Sequence, residues 1–300
     1  MKKVVCAAAL AATVVLTAGS AFAEELWNPH LRGTDEGLAA GALPPEGVYF
    51  INDTYFATWK DMNGTNSNTN GIKLNAWLDI PIVLWNPGIK VLGADYAVAI
   101  AQPFDYLDMS GGPYKNDNGH TGTYNTVLIP GQLSWALPMD FHVKTGLSVY
   151  VDDPSSSPAH PAPNGGVGSG NSFWTFSPEL GLSWLHDGWN LSADMRYDYN
   201  LEDDTTHYNS GNMFDVDYTV TKTIGKWTAG IGAFEQNQLE KDKSNGATVA
   251  NSTQENYGIG PIAGYNFGPV DVMATWNYGV MTHNEVGGDM FNVRLVVPLY

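Results

Sequence analysis

The sequence is short of three things, and each shortage excludes a class of protein. It holds one cysteine, Cys6, so no disulfide can form within the chain, and an exported protein of this length has to be held by hydrogen bonds and packing instead. Basic residues are scarce, with 14 Lys+Arg against 31 Asp+Glu and a net charge of −17, which repels nucleic acid. After residue 23 no apolar run approaches the roughly 20 residues that a membrane-spanning helix requires. If the chain crosses a membrane, it crosses as strands.

One apolar run does occur, at the very start. Lys2 and Lys3 precede an uncharged stretch from Val4 to Leu16 and then the small-residue sequence TAGSAFA. This predicts a secretory signal peptide over residues 1–23, cleaved after Ala23 to leave Glu24 as the mature start. The expected organisation is therefore a signal peptide (1–23), an N-terminal segment (24–47) and a body from residue 48 to 300.

What the body has in abundance is period-two alternation, in segments of roughly the ten residues needed by a membrane strand. In WNLSADMRYDYN, Trp189, Leu191, Ala193, Met195, Tyr197 and Tyr199 share one face, while Asn190, Ser192, Asp194, Arg196, Asp198 and Asn200 share the other. MDFHVKTGLSVYV, FDVDYTV and PVDVMATWNYGV repeat the pattern, and KLNAWLDIPI and FWTFSPELGLSWL do so less cleanly. Val48 to Trp59, Val91 to Ala101 and Thr123 to Leu133 have the composition of strands but no clear parity. A soluble sandwich and a membrane barrel both alternate, so the connections have to decide. WNPG, ALP, HDG, Gly225-Lys226 and Gly268-Pro269 are tight. Between them stand long polar stretches such as MNGTNSNTN, Asp152 to Asn171 and LEKDKSNGATVANSTQ, with a short-to-medium loop around Thr282 to Gly288. Tight turns at one end and long loops at the other are the mark of an outer-membrane barrel. The expected fold is an all-β transmembrane antiparallel barrel of about twelve strands, with the N-terminal segment in or near the lumen.

Ahead of the first expected strand lies HLRGTDEGLAAGALPPEGVYFINDTY, in which Gly33, Leu43, Pro44, Pro45, Gly47, Tyr49, Asn52 and Asp53 form a spaced pattern. It resembles the opening of the phenol meta-pathway family of outer-membrane proteins. The resemblance is specific over Leu31 to Tyr55 and architectural beyond it. It implies a barrel distantly similar to long-chain fatty-acid transporters that passes hydrophobic, often aromatic, compounds; it implies no ligand-binding residue. The closing strand FNVRLVVPLY ends on an aromatic residue, Tyr300, and so resembles the terminal strand that barrel-assembly machinery recognises. Lipid and lipopolysaccharide of a Gram-negative outer membrane are the expected surroundings.

With apolar residues outward, the expected lumen lining is Lys73, Asp79, Asp95, Asp140, His142, Lys144, Glu179, Asp194, Arg196, Asp198, Asp215, Asp217, Asp271 and Arg294, together with Trp77, Tyr150 and Met273. Acids outnumber bases there, which fits either a cation-preferring pore or a network of internal salt bridges. Three functions follow: passive uptake of small hydrophobic or aromatic molecules, a general or cation-preferring pore, and a closed structural or adhesive barrel. Enzymatic chemistry is not expected. His142 has Asp140, Lys144 and Ser148 nearby, but it lies on the lumen parity. No cofactor is expected, and no metal either, because the other histidines lack ligand spacing. Asp152-Asp153 and Glu202-Asp203-Asp204 read first as solvated loop acids, and second as calcium ligands beside lipopolysaccharide.

Overall fold

The computed structural model describes residues 28–61, 71–111, 119–161 and 168–299. The expected signal peptide, Cys6 and Tyr300 lie outside them.

Twelve antiparallel strands form a closed barrel. They are β1 (Gly47–Asp61), β2 (Lys73–Asn86), β3 (Ala94–Ala101, resuming at Phe104–Ser110), β4 (His120–Thr123, resuming at Val127–Ala136), β5 (Phe141–Tyr150) and β6 (Thr175–His186). The second half comprises β7 (Trp189–Asn200), β8 (Met213–Ile224), β9 (Trp227–Gln238), β10 (Glu255–Asn266), β11 (Asp271–His283) and β12 (Val286–Pro298). Each strand pairs with its neighbour in sequence, and β12 returns to β1 in continuous register from Tyr49↔Pro298 to Asp61↔Val286. Closure leaves no edge of unpaired amides, which is the condition for a sheet to survive in hydrocarbon.

The turns follow from local chemistry. Between β6 and β7, Asp187 and Gly188 both take positive φ, 46° and 75°, as a two-residue type I′ hairpin requires. At this end of the barrel, Trp227, Tyr265 and Phe267 stack edge to face with centroids 4.6 Å apart, part of an aromatic girdle that also includes Trp85, Phe141 and Trp189 on the outer surface. The connection after β11 is tighter than the sequence reading, because β11 runs to His283 and β12 begins at Val286.

Two strands of unclear parity turn out to be broken. Pro103 lacks an amide hydrogen and interrupts β3. Gln102 bridges the gap, its backbone N–H donating to Pro81 O at 3.2 Å and its side-chain amide to Tyr124 O at 3.1 Å. β4 breaks opposite, around Asn125, whose amide donates to Val151 O at 2.6 Å and Asn171 O at 2.8 Å.

One stretch of parity is corrected. In β2 it is Leu74, Ala76, Leu78 and Ile80 that are buried inside the barrel, whereas Lys73 and Asp79 stand on the outer face. Trp77 also faces out, against Phe56 with ring centroids 5.3 Å apart. Asn52 donates to Asp79 at 2.6 Å and Thr54 does so at 3.1 Å, which satisfies this carboxylate on the outer surface. The inner face of β2 is therefore apolar and continues in Ile51 of β1, Ala99 and Ala101 of β3 and Ile129 of β4, interrupted by Asp53, Asp105, Gln132 and Ser134, while most of the inward charges belong to the other half of the barrel.

Candidate functional site

Residues 28–46 make hydrogen bonds to strands all around the wall, a pattern possible only from inside the barrel. The segment is a chain of tight turns, with Thr34 N–H donating to Leu31 O, Leu38 to Asp35 O and Ala42 to Ala39 O. Gly33 and Gly37 take φ of 71° and 85° within it. Asp217 on β8 accepts the backbone N–H groups of Gly33 at 3.0 Å and Asp35 at 2.8 Å, and Thr219 accepts that of Gly37 at 2.8 Å. Further round the wall, Ser183 on β6 accepts the Gly41 N–H at 2.7 Å, and Ser134 on β4 donates to Gly41 O at 2.8 Å. Two wall glycines make room for this path. A Cβ on Gly181 would stand 2.0 Å from Ala40 O, and one on Gly232 would stand 2.1 Å from a Glu36 carboxylate oxygen.

Charge fixes the segment as firmly as backbone bonding does. Asp35 meets Arg196 at 3.0 Å through both Nε and Nη2. Arg196 also faces Glu179 at 3.2 Å and Asp194 at 3.4 Å, while Lys144 pairs with Glu179. On the opposite wall Arg294 holds Asp53 at 2.9 Å and donates to Thr34 O. Arg32 pairs with Glu285 and lies 4.0 Å over the Trp59 ring. Such buried ions are costly to leave unpaired, about 3–5 kcal/mol when one partner is removed.

Burial alone would raise the proton affinity of Asp35, but Arg196, with His30, Arg294 and Lys144, outweighs it and keeps the carboxylate ionised. Burial lowers the proton affinity of His30, and Arg196 adds to the effect. Glu36 behaves oppositely. Burial, helped by the charge of Asp217, pushes it up to about 9 despite a hydrogen bond from Asn277.

Between the segment and the apolar wall lies a cavity of about 410 Å³. Ile51, Ile80, Ile82, Leu84, Ala99 and Ile129 line its barrel side, and Leu38, Ala39, Ala42 and Leu43 its segment side. Lys144, Arg196, Arg294, Asp35 and Asp53 form a polar flank. A smaller void of about 20 Å³ lies along the same wall against Trp59, Leu74, Leu78 and Leu107. His30, Leu31 and Tyr124 border both.

Of the residues expected in the lumen, the structure brings together Lys144, Glu179, Asp194 and Arg196 as one buried cluster, with Asp198, Asp215, Asp217 and Arg294 also buried inside. His142 is half-buried at the short-turn end of the inner face. Asp140 and Asp271 are exposed at the short-turn rim, Asp140 paired with His186 at 2.8 Å and Asp271 accepting from Asn266 at 2.6 Å. Asp95 is at the same rim, paired with Lys90 at 2.6 Å. The family-pattern residues divide in the same way: Asp53 holds Arg294 inside, Tyr49 and Leu43 border the cavity, and Asn52 faces outward. Sequence reasoning missed Asp35 and Glu36, because one polar residue in a turn-rich leader carries no periodic signal, and it missed Ser134 and Ser183, because an inward serine on a strand does not show that a distant segment passes over it. The apolar wall did leave a signal: the aliphatic face of β2 is opposed by Trp77 and Trp85, and aromatic residues mark the lipid side.

Residues that could support chemistry are engaged otherwise. Ser148 accepts from Arg196 at 3.2 Å. Ser169 donates to Asp105 at 3.0 Å and sits 3.3 Å from His120, so its proton is committed to the acid. Among the described residues, His30, Asp35 and Asp217 form a grouping of metal-donor atoms, yet Arg196 and two backbone amides already occupy the two carboxylates. In the loops, Asp153 accepts from Thr126 at 2.7 Å, and Asp203 accepts the Thr205 and Thr206 amides at 2.6 and 3.0 Å.

The sequence matches the family described as "Putative MetA-pathway of phenol degradation" over residues 60–295. The chain belongs to this family. No curated protein matches. Among solved structures, an outer membrane channel from Pseudomonas putida F1 is similar at a TM-score of 0.73 and 12% identity, over 86% of this chain and 97% of that one. The translocator domain of the autotransporter NalP from Neisseria meningitidis reaches 0.49 at 10% identity, over 86% and 91%. A Pseudomonas aeruginosa FadL homologue reaches 0.40 at 10% identity, over 87% and 92%. The family member thus has the fold of a Gram-negative outer-membrane channel.

Two predictions follow from the docking of the segment. Gly181→Val and Gly232→Val should each displace residues 28–46 while leaving the barrel closed, seen as higher single-channel conductance with unchanged heat-modifiable gel mobility; conductance equal to wild type would show that the wall does not need these gaps. Because the Glu36 value is raised, its contribution to docking is complete below its ordinary 4.5 and is lost as pH rises toward 9. Protease cleavage of the segment should therefore increase across that window, and Glu36→Gln should flatten the dependence.

Proposed function

We propose that this barrel lets small hydrophobic molecules, aromatic ones included, cross the outer membrane by passive diffusion along the apolar wall of β1 to β4. The observation that carries the reading is the cavity of about 410 Å³ between that wall and residues 28–46. Its volume suits a single-ring compound, and pockets for small molecules combine an apolar body with a few placed polar groups. Residues 28–46 act as a plug: they fill the polar half of the lumen and leave the apolar side as the passage, with Leu31 and Tyr124 as its constriction.

A cation-preferring pore is less well supported. The inward carboxylates are largely engaged by Lys144, Arg196, Arg294 and the plug, so they act as internal glue rather than as a free ring along a water column. The reading is of a non-enzymatic, cofactor-free protein, exported by its signal peptide, surrounded by lipid and lipopolysaccharide and folded through recognition of its C-terminal strand.

The test is conductance of the refolded mature chain, with and without residues 24–46, combined with cellular uptake of a labelled arene. A small conductance that rises on deletion, with arene uptake dependent on the protein, is expected. Large open-pore conductance in the intact chain would favour the general pore. No current and no uptake in either form would favour a closed structural barrel.

A further inference from the structure

The chain as a whole carries more than twice as many acids as bases, but the cavity reverses this balance. Its lining includes three permanent cations, Lys144, Arg196 and Arg294, against two carboxylates, Asp35 and Asp53. Glu179 and Asp194, which hold Lys144 and Arg196, lie outside the lining. One turn of the plug sits on two of these cations. Asp35 reaches Arg196 on β7, and the carbonyl of Thr34 reaches Arg294 on β12, where one further guanidinium nitrogen, Nη1, is buried with no protein acceptor. Thr34 and Asp35 themselves border the cavity. A molecule in the cavity therefore has aliphatic side chains on one side and, on the other, two guanidinium groups, each with one of its partners on the segment, Asp35 for Arg196 and the Thr34 carbonyl for Arg294, beside the wall acids Glu179, Asp194 and Asp53. Guanidinium groups bind carboxylates in paired, charge-assisted hydrogen bonds that neutral apolar solutes cannot form.

From this juxtaposition we propose that the cavity takes a small apolar molecule bearing one anionic oxygen group, an arene- or alkane-carboxylate, which competes with Asp35 for Arg196 and meets the unpartnered Nη1 of Arg294. The inference rests on the passage proposed above and specifies what that passage selects. It also couples binding to the plug, because a carboxylate that replaces Asp35 removes one of the charges anchoring residues 28–46. The hold on the plug is then weakened by the class of compound the cavity accepts.

The experiment is calorimetric binding of benzoate, toluene and benzylamine to the refolded mature protein at neutral pH, repeated with Asp35→Asn. Benzoate should bind at least about ten-fold more tightly than toluene, and benzylamine not at all. Asp35→Asn, which removes the competing charge but keeps the shape, should tighten benzoate several-fold and leave toluene unchanged. Toluene binding as well as benzoate, or benzoate indifferent to Asp35→Asn, would overturn this inference while leaving the hydrophobic passage intact. Binding of none of the probes would overturn both. If Asp35→Asn does not refold, the comparison of the three probes on the wild-type chain decides alone.

Discussion

A closed barrel that turns charged side chains inward must find them partners, since the lumen offers neither the depth of bulk water nor the option of facing lipid. That constraint organises this protein. Lys144, Glu179, Asp194 and Arg196 answer it in part among themselves, but Arg196 completes its shell with Asp35 and Arg294 with Thr34, both from outside the barrel sequence. The polar half of the lumen and the N-terminal segment are thus complementary halves of one hydrogen-bonded core. The segment has little regular structure of its own; its backbone amides are satisfied by Asp217, Thr219 and Ser183, in keeping with the rule that buried backbone groups seldom go unpaired.

The second consequence concerns the other half of the wall. Because the polar side holds the segment, the aliphatic residues of β1 to β4 are left facing it across a gap. Elsewhere in the barrel the inner face mixes polar residues with a few apolar ones such as Tyr150, Phe234 and Met290. The cavity exists because strands β2 to β4 present Ile80, Ile82, Ala99 and Ile129 inward, and it adjoins the place where Pro103 breaks the hydrogen-bond ladder. Function and fold meet at this asymmetry.

Much of this was legible in the sequence. In β7 the two faces differ in kind, tryptophan and tyrosine against aspartate and arginine, so both the strand and its inward residues were readable. In β2 both faces contain large apolar groups, and the rule that apolar residues face lipid put Lys73 and Asp79 on the wrong side. The break at Pro103 lies just past the stretch Val91 to Ala101, whose parity the sequence left unclear. Gly181 and Gly232 matter only because a distant segment passes over them, a fact that no local pattern encodes. The leader's place inside the lumen was foreseeable from its length and its Pro44-Pro45 stop; its partners were not, since they depend on the curvature that brings β6, β8 and β12 around it.

The most direct test of the account is anomalous diffraction from crystals of the mature protein soaked in bromobenzene, whose bromine reports position without polar contacts. Bromine density between Leu38 and the side chains of Ile80 and Ile82 is predicted. Density confined to the outer surface or the long loops, with the cavity empty at saturating soak, would contradict the claim that the apolar wall is the route.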